Sequence, residues 1–296
     1  MKIVIAGGSG FLGSALSDAL KSRGDTVVVL SRRGATPWTP DGTIGPWAAH
    51  LDGADAIVNL AGEPLPDKRW TADQKTRILQ SRVLATRSLV EAIRASSRRP
   101  SIFISGSGVG IYPDAEEPVD ESSPPGSGFL ARVCVAWESE ALRADGPSCR
   151  VVLLRTGVVL HRSGGAIRKL ILPFSLGAGG PIGSGAQWWG WIHLEDWVRM
   201  TIWALDTERL RGPLNVCAPE PERNRDIMKA LGRSLHRPAV IPAPAFALRI
   251  ALGDMAGEML LASQRAVPRV ARDGGFAWMF PALQPAMDDA VRPVPR

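Results

Sequence analysis

The chain has 296 residues with a formal net charge of +6; 45% of the residues are hydrophobic and 22% are charged. This balance predicts a soluble enzyme with a large core, in one large domain or two unequal ones. The apolar runs fall short of the ~20 residues that a membrane-spanning helix needs. The basic residues are scattered along the chain, which is typical of a solvated surface and argues against a nucleic-acid partner.

Cysteine usage and the start of the chain indicate the compartment. Cys134, Cys149 and Cys217 are few and widely spaced, which predicts a reducing environment and no metal site. Ile3 already lies in a predicted strand, which leaves no room for a signal peptide. We therefore expect a cytoplasmic protein that acts on a small molecule and has no membrane partner. The sequence does not predict its oligomeric state.

The N-terminus has the pattern strand, glycine turn, helix. Residues 3–6 are apolar and predict a buried parallel strand, after which Gly7, Gly10 and Gly13 follow at three-residue steps. Apolar residues then recur at helical spacing up to Gly24. Gly7 permits a tight turn, Gly10 lets a pyrophosphate approach the backbone at the helix N-terminus, and Gly13 lets helix and strand pack closely. This context predicts a dinucleotide site.

Strands and helices alternate over the next part of the chain. Further strands are predicted at residues 26–30, 55–60, 101–105 and 150–155, a possible added strand at 213–218, and helices at 71–97 and 126–145. Alternation of this kind predicts an α/β Rossmann fold, a doubly wound parallel sheet with a smaller C-terminal substrate lobe. Ligands of such sheets bind at the carboxyl ends of the strands.

The domain organisation follows from where this alternation stops. We expect residues 1–157 to form the nucleotide-binding Rossmann domain, completed by about 194–220. Residues 158–193 and 221–296 are then the substrate-side lobe. Glycine and proline cluster over 173–190, which predicts a long functional loop that can move over the substrate.

The end of the second strand indicates which cofactor is bound. An NAD site usually has Asp or Glu here, bonding the ribose 2′-hydroxyl. This chain has Ser31 and Arg32 instead, and its next acidic residue is Asp41. A hydroxyl and a guanidinium suit a 2′-phosphate, which favours NADP(H) over NAD(H).

Several longer motifs occur in order along nearly the whole chain. They include Gly7-x-x-Gly10-x-x-Gly13, Asn59-Leu-Ala-Gly62, Gly110-Ile-Tyr-Pro113, Trp137-Glu138, Leu154-Arg-Thr-Gly-Val-Val-Leu160, Trp191-Ile-His193 and Leu260-Leu-Ala-Ser-Gln-Arg265. The chain resembles the extended short-chain dehydrogenase/reductase superfamily. More narrowly, it is similar to the atypical epimerase family, described as nucleoside-diphosphate-sugar epimerases with a characteristic C-terminal domain. The resemblance implies a Rossmann fold that binds NADP(H).

The resemblance also implies where catalytic residues should lie, and here the chain departs from the superfamily. Active members use a Ser or Thr, a Tyr with a Lys four residues later, and often an Asn. By helical register, Leu130 and Cys134 occupy the Tyr and Lys positions, and Arg82 the Asn position. Ser107 is retained, and Tyr112 is the one tyrosine of the chain. Ser107 and Tyr112 are therefore the catalytic candidates.

The other candidates surround a cofactor and a substrate. We expect cofactor contacts from the glycine turn, the two following strand ends, one arginine of the long helix and the strands beyond it. These predicted cofactor-binding residues are Gly7, Ser9, Gly10, Phe11, Leu12, Gly13, Ser31, Arg32, Leu60, Ala61, Gly62, Arg82, Ser105, Arg155 and Val159. Trp191 and His193 lie in an aromatic run that suits either a pocket for a ring-shaped substrate or packing of the lobe.

Three functions remain open at this point. The first is an NADP(H)-dependent oxidoreductase or epimerase-like enzyme without the Tyr–Lys dyad. The second is a protein that binds NADP(H) without turnover, for structure or redox sensing. The third is a non-redox isomerase or lyase on the same scaffold.

Overall fold

The computed structural model describes residues 1–293. The strands are β1 Lys2–Ala6, β2 Thr26–Ser31, β3 Thr36–Pro37, β4 Ala56–Asn59, β5 Ile102–Gly108, β6 Arg150–Thr156, β7 Val158–Leu160, β8 Trp188–Trp189, β9 Trp191–His193, β10 Gly212–Val216 and β11 Glu222–Arg223. The α-helices are α1 Phe11–Ser22, α2 Ala72–Ala95, α3 Phe129–Leu142, α4 Gly165–Ser175, α5 Leu194–Asp206, α6 Asn224–Ser234, α7 Ala245–Leu252, α8 Arg269–Asp273 and α9 Leu283–Ala290. Short 3₁₀ segments lie at Pro46–His50 and Val109–Ile111, and a π-helical segment at Ala256–Leu261.

A seven-stranded sheet in the order β10-β6-β5-β4-β1-β2-β3 carries the Rossmann architecture. The pairs β1–β2, β1–β4, β2–β3 and β4–β5 are parallel. Ile3, Val4 and Ile5 are fully buried, as expected for a central strand covered on both faces. The predicted α/β fold is confirmed, and β10 supplies the additional strand expected near residues 213–218.

The long helix α2 begins where its sequence predicts. The Thr71 side chain accepts a hydrogen bond from the backbone N–H of Gln74, which satisfies one of the free donors of the first turn. Asp73 adds a negative charge near the positive end of the helix dipole. Its buried face, which includes Ile78, Leu89 and Ile93, packs into the core of the sheet.

The chain divides into two units. The first comprises residues 1–108, 132–155 and 198–214, and its core is formed by residues such as Val4, Leu30, Leu89 and Phe103. The second comprises 109–131, 156–197 and 215–293, with a core around Trp191, Ile227 and Met287. Within residues 1–293, none of the helices is both long and apolar enough to cross a membrane.

The glycine–proline segment is more ordered at its ends than its composition predicts. Pro173 lies inside α4, which runs to Ser175, so the expected loop start at 173 is wrong. A proline near the end of a helix removes one hydrogen bond, a loss that an amphipathic helix with buried Ile167 and Phe174 tolerates. The irregular part therefore runs from 176 to 187 and ends at β8.

Candidate functional site

The turn between β1 and α1 is built on glycines that no other residue could replace without displacement. Gly7 has φ = 79°, and a Cβ there would lie 2.8 Å from the Leu60 carbonyl group and 2.9 Å from the Ala61 nitrogen. A Cβ on Gly13 would lie 2.3 Å from the Gly7 oxygen. The backbone of this turn is thus pressed against the end of β4, as the dinucleotide motif requires.

The N-terminus of α1 can receive an anion. Gly10 caps the helix without a side-chain hydrogen bond, and its first turn, residues 11–14, is uncharged. Ser9 and Gly10 are exposed, while Phe11 and Leu12 are half-buried. Backbone N–H groups and the dipole of such a helix end favour a phosphate.

The end of β2 places a hydroxyl and a cation beside this turn. Gly7 N donates to Leu30 O over 3.3 Å. Ser31 Oγ accepts from the Arg33 N–H, and the Arg32 side chain is exposed. Glu63 follows β4, and its pKa is lowered. Burial acts to raise this pKa, but hydrogen bonds and positive charges from neighbouring residues outweigh burial. Arg32 is one of these charges. Arg32 therefore projects its charge toward the ends of β2 and β4.

Polar side chains fix the end of β4. Asn59 is fully buried; its Nδ2 donates to Thr86 Oγ1 over 2.9 Å, and its Oδ1 accepts from the Ala61 N–H over 3.1 Å. This holds Leu60 and Ala61 in the position that faces Gly7. Sequence reasoning predicted contacts from Leu60 and Ala61 but did not identify Asn59 as their support.

Arg82 is held beside the same strand end. Its Nη1 donates to the carbonyl oxygens of Glu63 and Ile78, each over 3.1 Å, and its Cζ lies 5.2 Å from the centre of the Trp137 ring. A Cβ on Gly62 would approach Arg82 Cζ to 3.1 Å. Burial lowers the pKa of Arg82, although an arginine stays charged at neutral pH. The guanidinium is thus a fixed cation next to Gly62.

A buried polar cluster lies where β5 and β6 face α3. Ser107 Oγ donates to Glu138 Oε1 over 2.6 Å. Arg155 donates two hydrogen bonds to the same carboxylate, from Nε to Oε1 over 2.9 Å and from Nη2 to Oε2 over 2.8 Å. All three residues are less than 10% exposed. Glu138, which was not among the predicted site residues, therefore joins two that were, Ser107 and Arg155. Ser105 lies two residues before Ser107 on β5 and is fully buried.

Cys134 borders this cluster but is not a nucleophile at neutral pH. Its Sγ lies 3.7 Å from the Gly108 carbonyl oxygen. Burial, together with the negative charge of Glu138, raises the pKa of the thiol to about 11. The position that helical register assigns to the superfamily's lysine therefore holds a neutral thiol packed against the polar cluster.

Tyr112 lies in the second unit. Its hydroxyl donates to Asn215 Oδ1 over 2.7 Å, and only 2% of the residue is exposed. Two further hydrogen bonds hold Asn215 in place. Its backbone N–H donates to Glu121 Oε1, and its side-chain Nδ2 donates to the Val267 carbonyl oxygen. The phenol proton is thus engaged with Asn215, and the catalytic role of Tyr112 stays a prediction.

Trp191 and His193 occupy β9, which pairs in parallel with β7; Val159 of β7 lies opposite Ile192. His193 is 3% exposed, and its Nδ1 accepts from the Glu195 N–H while its Nε2 lies 3.3 Å from Asp289 Oδ2. Burial lowers the pKa of His193 to about 4 despite the opposing charge of Asp289. The imidazole is therefore neutral at pH 7 and buried in the second core, and substrate contacts from Trp191 and His193 stay predictions.

The sequence does carry a signal for Glu138. It follows Trp137 in one of the family motifs and lies four residues after Cys134, on the same side of α3. An acidic residue on an apolar helix face needs a buried partner.

Among residues 1–293, no three His, Cys, Asp or Glu side chains group as a metal site.

Comparison with known proteins agrees with this geometry. Residues 3–217 match the model of the "NAD dependent epimerase/dehydratase family", and residues 243–290 match a "Domain of unknown function (DUF1731)". The "Epimerase family protein SDR39U1" of Bos taurus is 39% identical over 299 residues, covering 98% of this chain and 100% of its own.

Two solved structures are similar along the whole chain. The crystal structure of human epimerase family protein SDR39U1 with NADPH has a TM-score of 0.92 and 36% identity, over 98% of this chain and 99% of that one. The nucleoside-diphosphate sugar epimerase from Corynebacterium glutamicum has a TM-score of 0.79 and 31% identity; the match covers 98% of this chain and 58% of that longer one. This chain belongs to the NAD dependent epimerase/dehydratase family.

Proposed function

We propose that this protein is an NADP(H)-dependent oxidoreductase or epimerase-like enzyme that acts on a small organic substrate. The observation that carries the proposal is the glycine cradle of the first unit, together with Ser31 at the end of β2 and Arg32 directly after it, where an NAD site has an acid. The NADPH bound by the human relative supports the same cofactor here.

The residues present fit a dinucleotide phosphate. The open backbone at Gly10 and the N-terminus of α1 would hold the pyrophosphate, while Ser31 and Arg32 would hold the 2′-phosphate. Arg82, a fixed cation beside Gly62, would face an anionic part of the cofactor or substrate. Bound NADP(H) supplies or accepts a hydride, chemistry that the side chains of the chain cannot supply.

A calorimetric titration tests the cofactor. NADPH should bind more tightly than NADH, because Arg32 makes a charge-assisted contact with the extra phosphate that is worth about 1.5–3 kcal/mol. Arg32→Ala should therefore weaken NADPH binding at least tenfold and leave NADH binding nearly unchanged. Arg94→Ala, the same change at an exposed arginine in the last turn of α2, is the matched control and should alter neither. Equal affinity for both cofactors in the unmodified protein contradicts the assignment.

The Ser107–Glu138–Arg155 cluster is our candidate for the proton-transfer groups. Arg155 and Ser107 both donate to the Glu138 carboxylate, so its two oxygens are held in place by hydrogen bonds. Since the Ser107 proton points to Glu138, the lone pairs of Ser107 Oγ are left to accept a hydrogen bond from a substrate hydroxyl. That hydroxyl proton can pass to Ser107 Oγ while the Ser107 proton moves to Glu138 Oε1, and the reverse transfer serves a carbonyl.

Tyr112 is the second catalytic candidate. Its hydroxyl would first have to leave Asn215, whereas Ser107 already touches a carboxylate that can take a proton. We therefore rank Ser107 above Tyr112 as the group that contacts the reacting oxygen.

A turnover assay separates an NADP(H)-dependent enzyme from a protein that binds NADP(H) without turnover. The protein is incubated with NADPH and a panel of ketones, aldehydes and enones, and with NADP⁺ and the matching alcohols, while nicotinamide absorbance is followed. UDP-glucose with NADP⁺ is followed by NMR, because an epimerisation restores its cofactor and leaves the absorbance unchanged. Turnover in either assay supports the enzyme. The alternative is a protein that binds NADP(H) without turnover, which the absence of the Tyr–Lys dyad favours. Tight NADPH binding with no conversion in either assay would establish this alternative.

A further inference from the structure

The second unit exposes apolar side chains where a folded surface normally hides them. Six apolar residues are between 52% and 75% exposed: Leu172 on α4, Leu176 directly after it, Val240 and Ile241 before α7, and Phe246 and Ile250 on α7. None of the residues of α7 is buried. Single exposed apolar residues are common, but a contiguous group marks an interaction surface.

These side chains share one surface. Arg237 Nε donates to the Ser175 carbonyl oxygen at the end of α4, and the Ile241 N–H donates to Gly179 O over 3.0 Å. The chain from 237 to 243 thus runs beside 175–181 and leads directly into α7 at Ala245. We call the surface formed by the exposed side chains of 168–176 and 229–250 the basic apolar face.

The charges on this face are mainly positive, although two acids flank it: Asp226 lies 3.7 Å from Lys229 Nζ, and Asp288 accepts a hydrogen bond from Ser234. Residues 163–194 and 227–253 contain no aspartate or glutamate, and they supply Arg168, Lys169, Lys229, Arg233, Arg237 and Arg249. Because the formal net charge of the whole protein is only +6, the positive charge is concentrated here and balanced by acids elsewhere. A face of this composition attracts anions.

An open cavity of about 570 Å³ lies within the face. Basic side chains line it, namely those of Lys229, Arg233, His236 and Arg237, and the exposed Val240 stands at its edge. Space for an anionic head group is therefore next to side chains suited to an apolar medium.

We propose that the basic apolar face docks the protein on the surface of an anionic phospholipid bilayer, with lipid phosphates among its arginines and the exposed apolar side chains in the interface. Aromatic and aliphatic residues beside lysine and arginine are the composition of interfacial membrane-binding surfaces. Two copies joined through this face would bring like charges together. The proposal departs from the expectation from the sequence that no membrane is a partner.

Co-sedimentation of the full chain with vesicles tests the proposal, independently of cofactor and turnover. Binding to equimolar phosphatidylcholine and phosphatidylglycerol should be at least ~10-fold stronger than to phosphatidylcholine alone, and should fall as salt rises. Phe246→Ser with Ile250→Ser, and separately Arg233→Ala with Arg249→Ala, should each lower binding about tenfold or more. Val135→Ser with Leu142→Ser, at exposed apolar positions of α3, is the matched control and should bind as the unmodified protein does.

Three results would overturn the proposal. One is equal or absent binding to both kinds of vesicle. Another is anionic-vesicle binding that survives both double variants, provided that circular dichroism shows all proteins folded. The third is binding to another partner. A dimer in lipid-free sedimentation velocity that Phe246→Ser with Ile250→Ser dissociates would assign the face to a second copy. Retention on poly-glutamate without vesicle binding would assign it to an acidic protein.

Discussion

The two units use their buried carboxylates differently. In the first unit Glu138 pairs with Arg155, and Glu140 pairs with Arg87 and Arg143. In the second unit the buried carboxylates accept from backbone N–H groups instead. Glu121 accepts from Asn215 and Val270, and Asp196 accepts from Met279 and Phe280. The half-buried Glu258 likewise accepts from Phe129 and Leu130.

The difference follows from how each unit satisfies its backbone. The parallel sheet of the first unit pairs its own N–H and C=O groups, so its two buried glutamates, Glu138 and Glu140, are left to bind arginines. The second unit contains strands of only two or three residues and many turns, whose N–H groups need other acceptors. Buried charge pairs therefore belong to the unit with the candidate proton-transfer groups, and buried carboxylates hold loops in the other.

The largest effect we expect is from Glu138→Ala. Removal of this carboxylate takes the buried ion pair away from the Arg155 guanidinium, which should lower the free energy of unfolding by about 3–5 kcal/mol. Glu140→Ala on the same helix is the matched control: its arginine partners reach solvent, so the loss should be about 1 kcal/mol or less. Urea unfolding of the two variants measures both values. Equal losses would show that the buried pair has no special role.

The second prediction concerns the buried histidine. The pKa of His193 is about 4 in the folded state against 6.5 for an ordinary histidine, so the unfolded chain binds more protons between these values. This contribution to stability is complete above pH 6.5 and is lost as the pH falls through 4. It amounts to about 3 kcal/mol for a shift of this size.

Urea unfolding as a function of pH measures this contribution. His193→Gln should remove the corresponding slope, whereas His50→Gln, at an exposed histidine, should keep it. Curves for the unmodified protein and His193→Gln that stay parallel from pH 7 to 4 would contradict the prediction.

A smaller effect should follow Asp196→Asn. The amide oxygen can accept one of the bonds from Met279 and Phe280 but lacks the charge that strengthens both, so we expect a loss of about 1.5–3 kcal/mol. Hydrogen exchange should accelerate at these two amides, while the amides of β1 in the first unit keep their rates. Unchanged exchange at residues 279 and 280 would show that Asp196 does not hold this segment.

The first unit could be predicted from sequence more fully than the second. Apolar runs and a glycine turn are local signals, and they located β1, α1, β2 and α2 within a few residues. β7, β8 and β9 are too short to show a period, and Pro173 concealed the end of α4. Contacts such as Asp196 with Phe280 join residues 84 positions apart, and no local pattern predicts them.

The candidate site was predicted in the same uneven way. Ser107 was identified as the serine that the chain retains from the superfamily's catalytic set, and Arg155 because it lies at the end of a strand and in a family motif. Glu138 was missed because its role depends on how α3 faces β5 and β6, which spacing along one helix does not reveal. The engagement of Tyr112 with Asn215 likewise depends on residues more than a hundred positions apart.

The most direct test of the account compares Ser107→Ala with Tyr112→Phe on whichever compound of the panel the unmodified protein converts. Ser107 Oγ is the atom that we place on the proton path to Glu138, so Ser107→Ala should lower kcat by roughly 10²-fold or more. NADPH affinity should stay nearly intact, and Tyr112→Phe should lower kcat less. Full activity of Ser107→Ala would contradict the account and remove the Ser107–Glu138–Arg155 cluster from the mechanism.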